Sequence, residues 1–192
     1  MQFRNLGINL PENILIRLIG YGWSFITIFP GIILTSELID SWKIFDGIKI
    51  RKFTITRQTL NFWLFIGALF LIIPLLLPRN YAQYLFVLIW IGFVFLLDPI
   101  NSNLGVHSLF VDLRIGKINK LFSLFLSGIV CGFLWEFWNY WAQTKWIYTL
   151  PFLENPKIFE MPLAGFLGFL PFAVECYVMW VLCLSLINKG LK

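Results

Sequence analysis

The chain alternates between long stretches in which nearly every position is apolar and short stretches that collect its charges. Five apolar windows recur, near 18–38, 59–78, 82–98, 121–141 and 161–187. Each is close to the roughly 20 residues that cross a hydrocarbon layer about 30 Å thick as a helix. In lipid, backbone N–H and C=O groups must be satisfied within the segment itself, which isolated strands and irregular chain cannot do. The pattern predicts an all-α, polytopic membrane helix bundle of about five transmembrane helices. No composition shift or long linker interrupts it, so residues 1–192 read as a single integral membrane domain. The first window does not read as a cleaved leader: Glu12 and Arg17 precede it, Pro30-Gly31 interrupt it, and no small-residue cleavage site follows. Pro11 and Glu12 suit the first turn of a helix. Segment 47–56 partly alternates apolar and polar residues, which fits either a short surface strand or irregular chain lying on the membrane.

Composition agrees with the pattern. Hydrophobic residues make up 59% of the chain and charged residues 13%, and the mean hydropathy is +0.79, far from the soluble balance. Ten of the 15 basic residues, Lys43, Lys49, Arg51, Lys52, Arg57, Arg114, Lys117, Lys120, Lys189 and Lys192, fall on one side of a five-helix topology. This predicts an N-terminus outside and a C-terminus in the cytoplasm, in the cytoplasmic (inner) membrane. The net charge of +5 then reflects that bias and contact with anionic membrane lipids. The basic residues form no continuous stripe, so no nucleic-acid partner is expected.

Two carboxylates lie inside apolar windows. Glu136 sits in Gly132-Phe-Leu-Trp-Glu-Phe-Trp-Asn-Tyr-Trp141, and Glu175 sits in the last window. A charged acid at mid-bilayer costs at least about 2.5 kcal/mol on insertion scales, so each is a candidate acid or base. The alternative is a hydrogen-bonded glutamate that pins two helices, with Asn139 or Tyr177 as partner. Gly128 and Gly132 place Glu136 on a small-residue face, as Ala164 and Gly168 do for Glu175. Pro171 removes one backbone hydrogen bond and is expected to free the carbonyl of Leu167, which suits a binding site. The candidate catalytic residues are therefore Glu136 and Glu175, with Trp135, Trp138, Asn139, Tyr140 and Pro171 as substrate-binding candidates between the fourth and fifth helices. Trp135, Trp138, Tyr140, Trp141, Trp146 and Tyr148 also fit an aromatic belt at the membrane surface.

Other chemistry is thinner. Asp98, Asn101, Asn103, His107 and Asp112 could hold a cation, with a phosphate on nearby basic groups, but Asp and Asn beside Pro and Gly are also ordinary turn chemistry. Cys131, Cys176 and Cys183 show no C-x-x-C spacing and read as small apolar fillers. A single histidine argues against a histidine-rich metal centre or a bis-histidine haem, so no metal or cofactor is expected. Phosphate-loop, H-E-x-x-H, G-x-S-x-G and D-x-x-x-D signatures are all missing.

Residues 131–187 resemble the membrane-bound lycopene cyclase domain of heterodimeric and fused carotenoid cyclases. Trp135-Glu136 matches that family's helix ending in Trp and an acid, and Trp146-Ile-Tyr148 matches a later W-x-Y. Pro162-Leu-Ala-Gly-Phe-Leu-Gly-Phe169 stands where the family has P-L-E-E-[FY]-L-F-F, with Ala164 and Gly165 in place of the two glutamates. The resemblance implies an apolar isoprenoid ligand and acid chemistry on it. The other classes the sequence permits are an accessory or structural subunit of a membrane complex, including a homo-oligomer, and a small carrier or channel.

Overall fold

In a computed structural model, residues 2–5, 13–142, 145–149 and 153–190 are described. Pro11 and Glu12, expected to open a helix, lie outside the described residues. The order is strand β1 (Gln2–Asn5), helices α1 (Ile14–Ser41), α2 (Arg57–Leu76), α3 (Arg79–Ala82), α4 (Phe86–Asn103), α5 (Leu109–Ile115) and α6 (Asn119–Trp141). Strands β2 (Trp146–Thr149), β3 (Lys157–Ile158) and β4 (Met161–Pro162) follow, then helices α7 (Leu163–Phe166) and α8 (Phe169–Gly190). The chain is an all-α membrane bundle. Helices α2, α4, α6 and the stretch Leu163–Gly190 are long and apolar enough to cross a bilayer, and α1, with 28 residues, is the fifth long helix.

Local chemistry sets the helix ends. Asn13 caps α1 by accepting the Leu15 amide through its side chain, and Thr56 and Thr59 form a reciprocal capping box at the start of α2. Ser108 caps α5, which stops at Gly116 with φ +82°, a backbone conformation that suits a residue without Cβ. A Cβ there would also sit 2.8 Å from the Ile50 carbonyl.

Close approaches fix the packing. Gly67 of α2 lies against the backbone of α4, where an added Cβ would meet the Leu96 nitrogen at 2.4 Å. Gly128 and Gly132 of α6 lie against Phe169 and Ala173 of α8, as the small-residue spacing predicts. Trp90 beside Gly168 and Asn101 bonded to the Val178 carbonyl show α4 and α8 running in the same direction. The bundle therefore has two unlike ends. At one, the loops after α1 and α5 meet: the Ile50 amide bonds to the Gly116 carbonyl and the Phe53 amide to that of Leu113, with a single bridge between Lys49 and Lys117. This end carries the loop lysines and arginines, and the alternating segment 47–56 forms that bridge and no longer strand. At the other end, β1 pairs antiparallel with β2 and β3 with β4.

The last predicted helix is corrected. It does not run unbroken over 161–187: it divides into α7 and α8 around Leu167-Gly168. Pro171 falls in the first turn of α8 rather than mid-helix, where a missing N–H costs little. The Leu167 carbonyl is not freed either, since it accepts the Leu170 amide at 3.3 Å.

Candidate functional site

The strand end holds a cavity of about 490 Å³. Its wall is assembled from distant parts of the chain: Trp90 of α4, Trp135 of α6, Trp146 and Tyr148 of β2, and Phe169 and Phe172 of α8, with α2 and α3 closing the side. The lining is almost wholly apolar and aromatic. Tyr148 is the one ionisable side chain among the described lining residues. It is buried to 5% exposure and its hydroxyl accepts a hydrogen bond from Trp135 Nε1 at 3.2 Å. Burial, with the Glu136 carboxyl beside it, pushes the Tyr148 hydroxyl far above its ordinary range, so it stays a neutral donor at physiological pH.

Glu136 stands directly behind this wall. It is fully buried, one residue past Trp135, and the polar groups that bear on it are Tyr148 and Asn139. Neither carboxyl oxygen makes a hydrogen bond of good geometry among the described residues. A buried polar atom without a partner is uncommon and points to a functional group rather than a helix clamp. Asn139 is engaged chiefly with β2. Its amide donates to the Trp146 carbonyl at 2.8 Å and its oxygen accepts the Trp146 amide at 2.7 Å. Asn139 thus moors β2 to α6 and sets Trp146 and Tyr148 at the cavity mouth.

The other sequence candidates lie elsewhere. Trp138, at 65% exposure, and Tyr140, at 40%, face outward as an aromatic belt would. The Tyr140 ring packs tilted against Phe159, ring centres 5.6 Å apart, and receives the Lys145 ammonium at 5.0 Å. Pro171 is half-buried in α8, outside the cavity wall. Glu175 is buried with one oxygen unpartnered, but it does not meet Glu136. Gly128 is level with Phe169 and Ala173. Glu136 lies eight residues from Gly128 toward the strand end, and Glu175 lies a turn past Phe169 and Ala173 the opposite way. At 1.5 Å per residue that separates them by about 18 Å along the bundle.

The loop candidates resolve into structure. Asp98 belongs to α4, fully buried, and its carboxylate accepts the Ser108 hydroxyl at 2.8 Å and the amides of Leu109 and Phe110 at 2.9 and 2.8 Å. It holds the start of α5. His107 bridges Tyr177 and Asp112, with Nδ1 2.9 Å from the tyrosine hydroxyl and Nε2 3.2 Å from the carboxylate. No group of three or more metal-ligating side chains occurs among the described residues.

Sequence reasoning passed over Trp90, Phe169, Phe172 and Gly168 as site residues, because each is unremarkable within its own apolar run. The legible signal was W-x-Y at 146–148, read there as belt and resemblance rather than as lining. Trp135, Trp146, Tyr148 and Gly165 all border this cavity. Comparisons with protein-family models, with curated proteins and with solved structures gave no match.

Proposed function

We propose that the protein binds an apolar isoprenoid or lipid chain in the cavity at its strand end, with Tyr148 as the polar contact and Glu136 behind it as acid or base. The single observation that supports this most is the combination of a 490 Å³ aromatic cavity with a buried carboxyl that has no hydrogen bond of good geometry among the described residues, on the far side of the cavity's one ionisable wall residue among the described residues. Aromatic faces suit a long apolar chain and attract positive charge developing on it. An acid behind a neutral phenol can take up or release a proton without exposing a full charge to the lipid. The isoprenoid class follows from the lycopene cyclase resemblance, whose motif residues border the cavity. Glu175 stands outside this reading. In this reading the excess of basic residues at one end puts that end at the cytoplasmic face of the inner membrane and the strand end outside.

Titration of the reconstituted protein with a long polyene, read by tryptophan fluorescence, tests the proposal. Ala82→Trp fills the cavity from α3 and should weaken binding at least about tenfold, while Trp138→Ala, on the outer surface, should leave it unchanged. Equal binding by Ala82→Trp and the parent overturns the assignment and favours an accessory subunit of a membrane complex.

A further inference from the structure

The basic end holds a second concavity, of about 470 Å³, lined by Thr56 and Arg57 at the start of α2, Ser102 and Asn103 at the end of α4, and Arg114 of α5. Leu60, buried, gives it an apolar floor, and no acidic side chain is among the lining residues. We propose that this pocket binds a phosphate group, that of an anionic lipid headgroup at the membrane surface.

The charge at this end supports the assignment by elimination. Glu37 and Asp40 both bind Lys120, at 2.7 and 2.8 Å, and Asp46 accepts from Asn119. Asp98 is occupied by the amides of α5, and Asp112 by His107. Every acid there already has a partner, and neither Arg57 nor Arg114 forms an ion pair among the described residues. Two guanidiniums thus share one depression with nothing to neutralise them. Guanidinium forks match phosphate oxygens in a way that lysine point charges do not.

The scaffold also holds the two arginines in place. Asp98 secures the start of α5, and the Phe53 amide bonds to the Leu113 carbonyl, so Arg114 is held beside the chain that enters α2 at Arg57. The N-terminus of α2 adds a favourable field for an anion. Arg57 is the first residue of a 20-residue apolar helix, which sets it at headgroup depth, where anionic lipids concentrate. The hydroxyls of Thr56 and Ser102 and the Asn103 amide can donate to the remaining oxygens.

The experiment uses the full chain, delipidated in detergent and re-exposed to vesicles of phosphatidylcholine with or without phosphatidylglycerol, with bound lipid counted by native mass spectrometry. The expected result is selective retention of phosphatidylglycerol that falls at least about tenfold in Arg57→Gln/Arg114→Gln and is unchanged in Lys49→Gln/Arg51→Gln, which removes equal charge from the same face. Arg57→Lys/Arg114→Lys should recover only part of it. An equal fall in both neutralised pairs reduces the effect to general surface charge and overturns the pocket. Competition by inorganic phosphate without lipid retention reassigns the pocket to a soluble phosphate and overturns the headgroup assignment. Because both arginines are exposed, unchanged thermal unfolding of the variants separates lost binding from lost fold.

Discussion

Gly67→Ala adds one methyl group where α2 lies directly against the backbone of α4. The new carbon would lie 2.4 Å from the Leu96 nitrogen, 2.8 Å from the Gly92 oxygen and 2.8 Å from the Phe95 carbonyl carbon, whereas ordinary contact begins near 3.4 Å. All three neighbours are backbone, so no rotamer can yield and α2 must move off α4 by up to 1.0 Å, the difference between 3.4 and 2.4. A gap of that size forfeits about a quarter to a half of each dispersion contact along the seam. Overpacking of this kind costs about 1–3 kcal/mol, against which alanine returns about 1 kcal/mol of helix propensity. The net expectation is a loss of up to about 2 kcal/mol. Gly92→Ala meets the flexible Leu71 side chain at 3.0 Å and should cost less, and Gly22→Ala, with nothing within 4 Å, should be neutral or stabilising. Denaturation by titrated SDS in mixed micelles, followed by far-ultraviolet circular dichroism, ranks the three. A Gly67→Ala protein as stable as the Gly22→Ala protein would refute the claim that backbone contact at Gly67 sets the α2–α4 distance.

Asp98→Ala should destabilise by about 3–5 kcal/mol in the same assay, since it strands two amides and a hydroxyl in a buried place. His107 is raised above its ordinary 6.5, first by its hydrogen bond to Asp112. The stabilisation from its charged form should therefore be complete below about pH 6.5 and disappear as pH rises through the raised value. The imidazole is 44% exposed, so screening limits this to about 0.5 kcal/mol; unfolding of His107→Gln across the same range should lose the pH dependence. If Glu136 acts on the ligand through Tyr148, Glu136→Gln should abolish turnover of a bound polyene while retaining binding, and Tyr148→Phe should weaken both, measured by chromatography of extracted lipid and by fluorescence titration.

What the sequence made legible follows from which forces are local. The helices could be read because burial in lipid imposes a condition on every residue of a segment, and runs of apolar residues announce it. The close packing at the Leu167-Gly168 break could not, because there the Trp90 ring lies 2.6 Å from where a Gly168 Cβ would be, a contact between residues 78 positions apart. Pro171 carries the expectation of a freed Leu167 carbonyl, which the Leu170 amide meets instead. Asp98 shows the same limit: its residue type and neighbours fit a ligand loop, and only the placement of Ser108, Leu109 and Phe110 around it reveals a helix cap. Glu136 was correctly singled out as a buried acid, but its relation to Tyr148 passes through the two hydrogen bonds of Asn139 to Trp146, which no periodicity encodes.

The two ends of the bundle differ in how their polar groups are spent, and that difference bears on where function can reside. At the basic end, Lys120 binds Ser36, Glu37 and Asp40 together and lies 4.9 Å from the Tyr177 ring centre, and Asp98 and His107 each hold two elements. These partners are mutually satisfied and tie α1, α4, α5, α6 and α8 into one closed plate. At the strand end the ties lie in and beside the short strands: β2 is fixed by Asn139, and Lys145 pairs with Glu160. The interior there is left apolar and partly empty, with the Glu136 carboxyl unpaired among the described residues. A rigid plate on one face allows the opposite face to keep a cavity without losing the fold. A ligand entering between α3, α4 and β2 would therefore displace β2 first, and Asn139→Leu, which releases Trp146, should loosen ligand binding more than it lowers the stability of the helices.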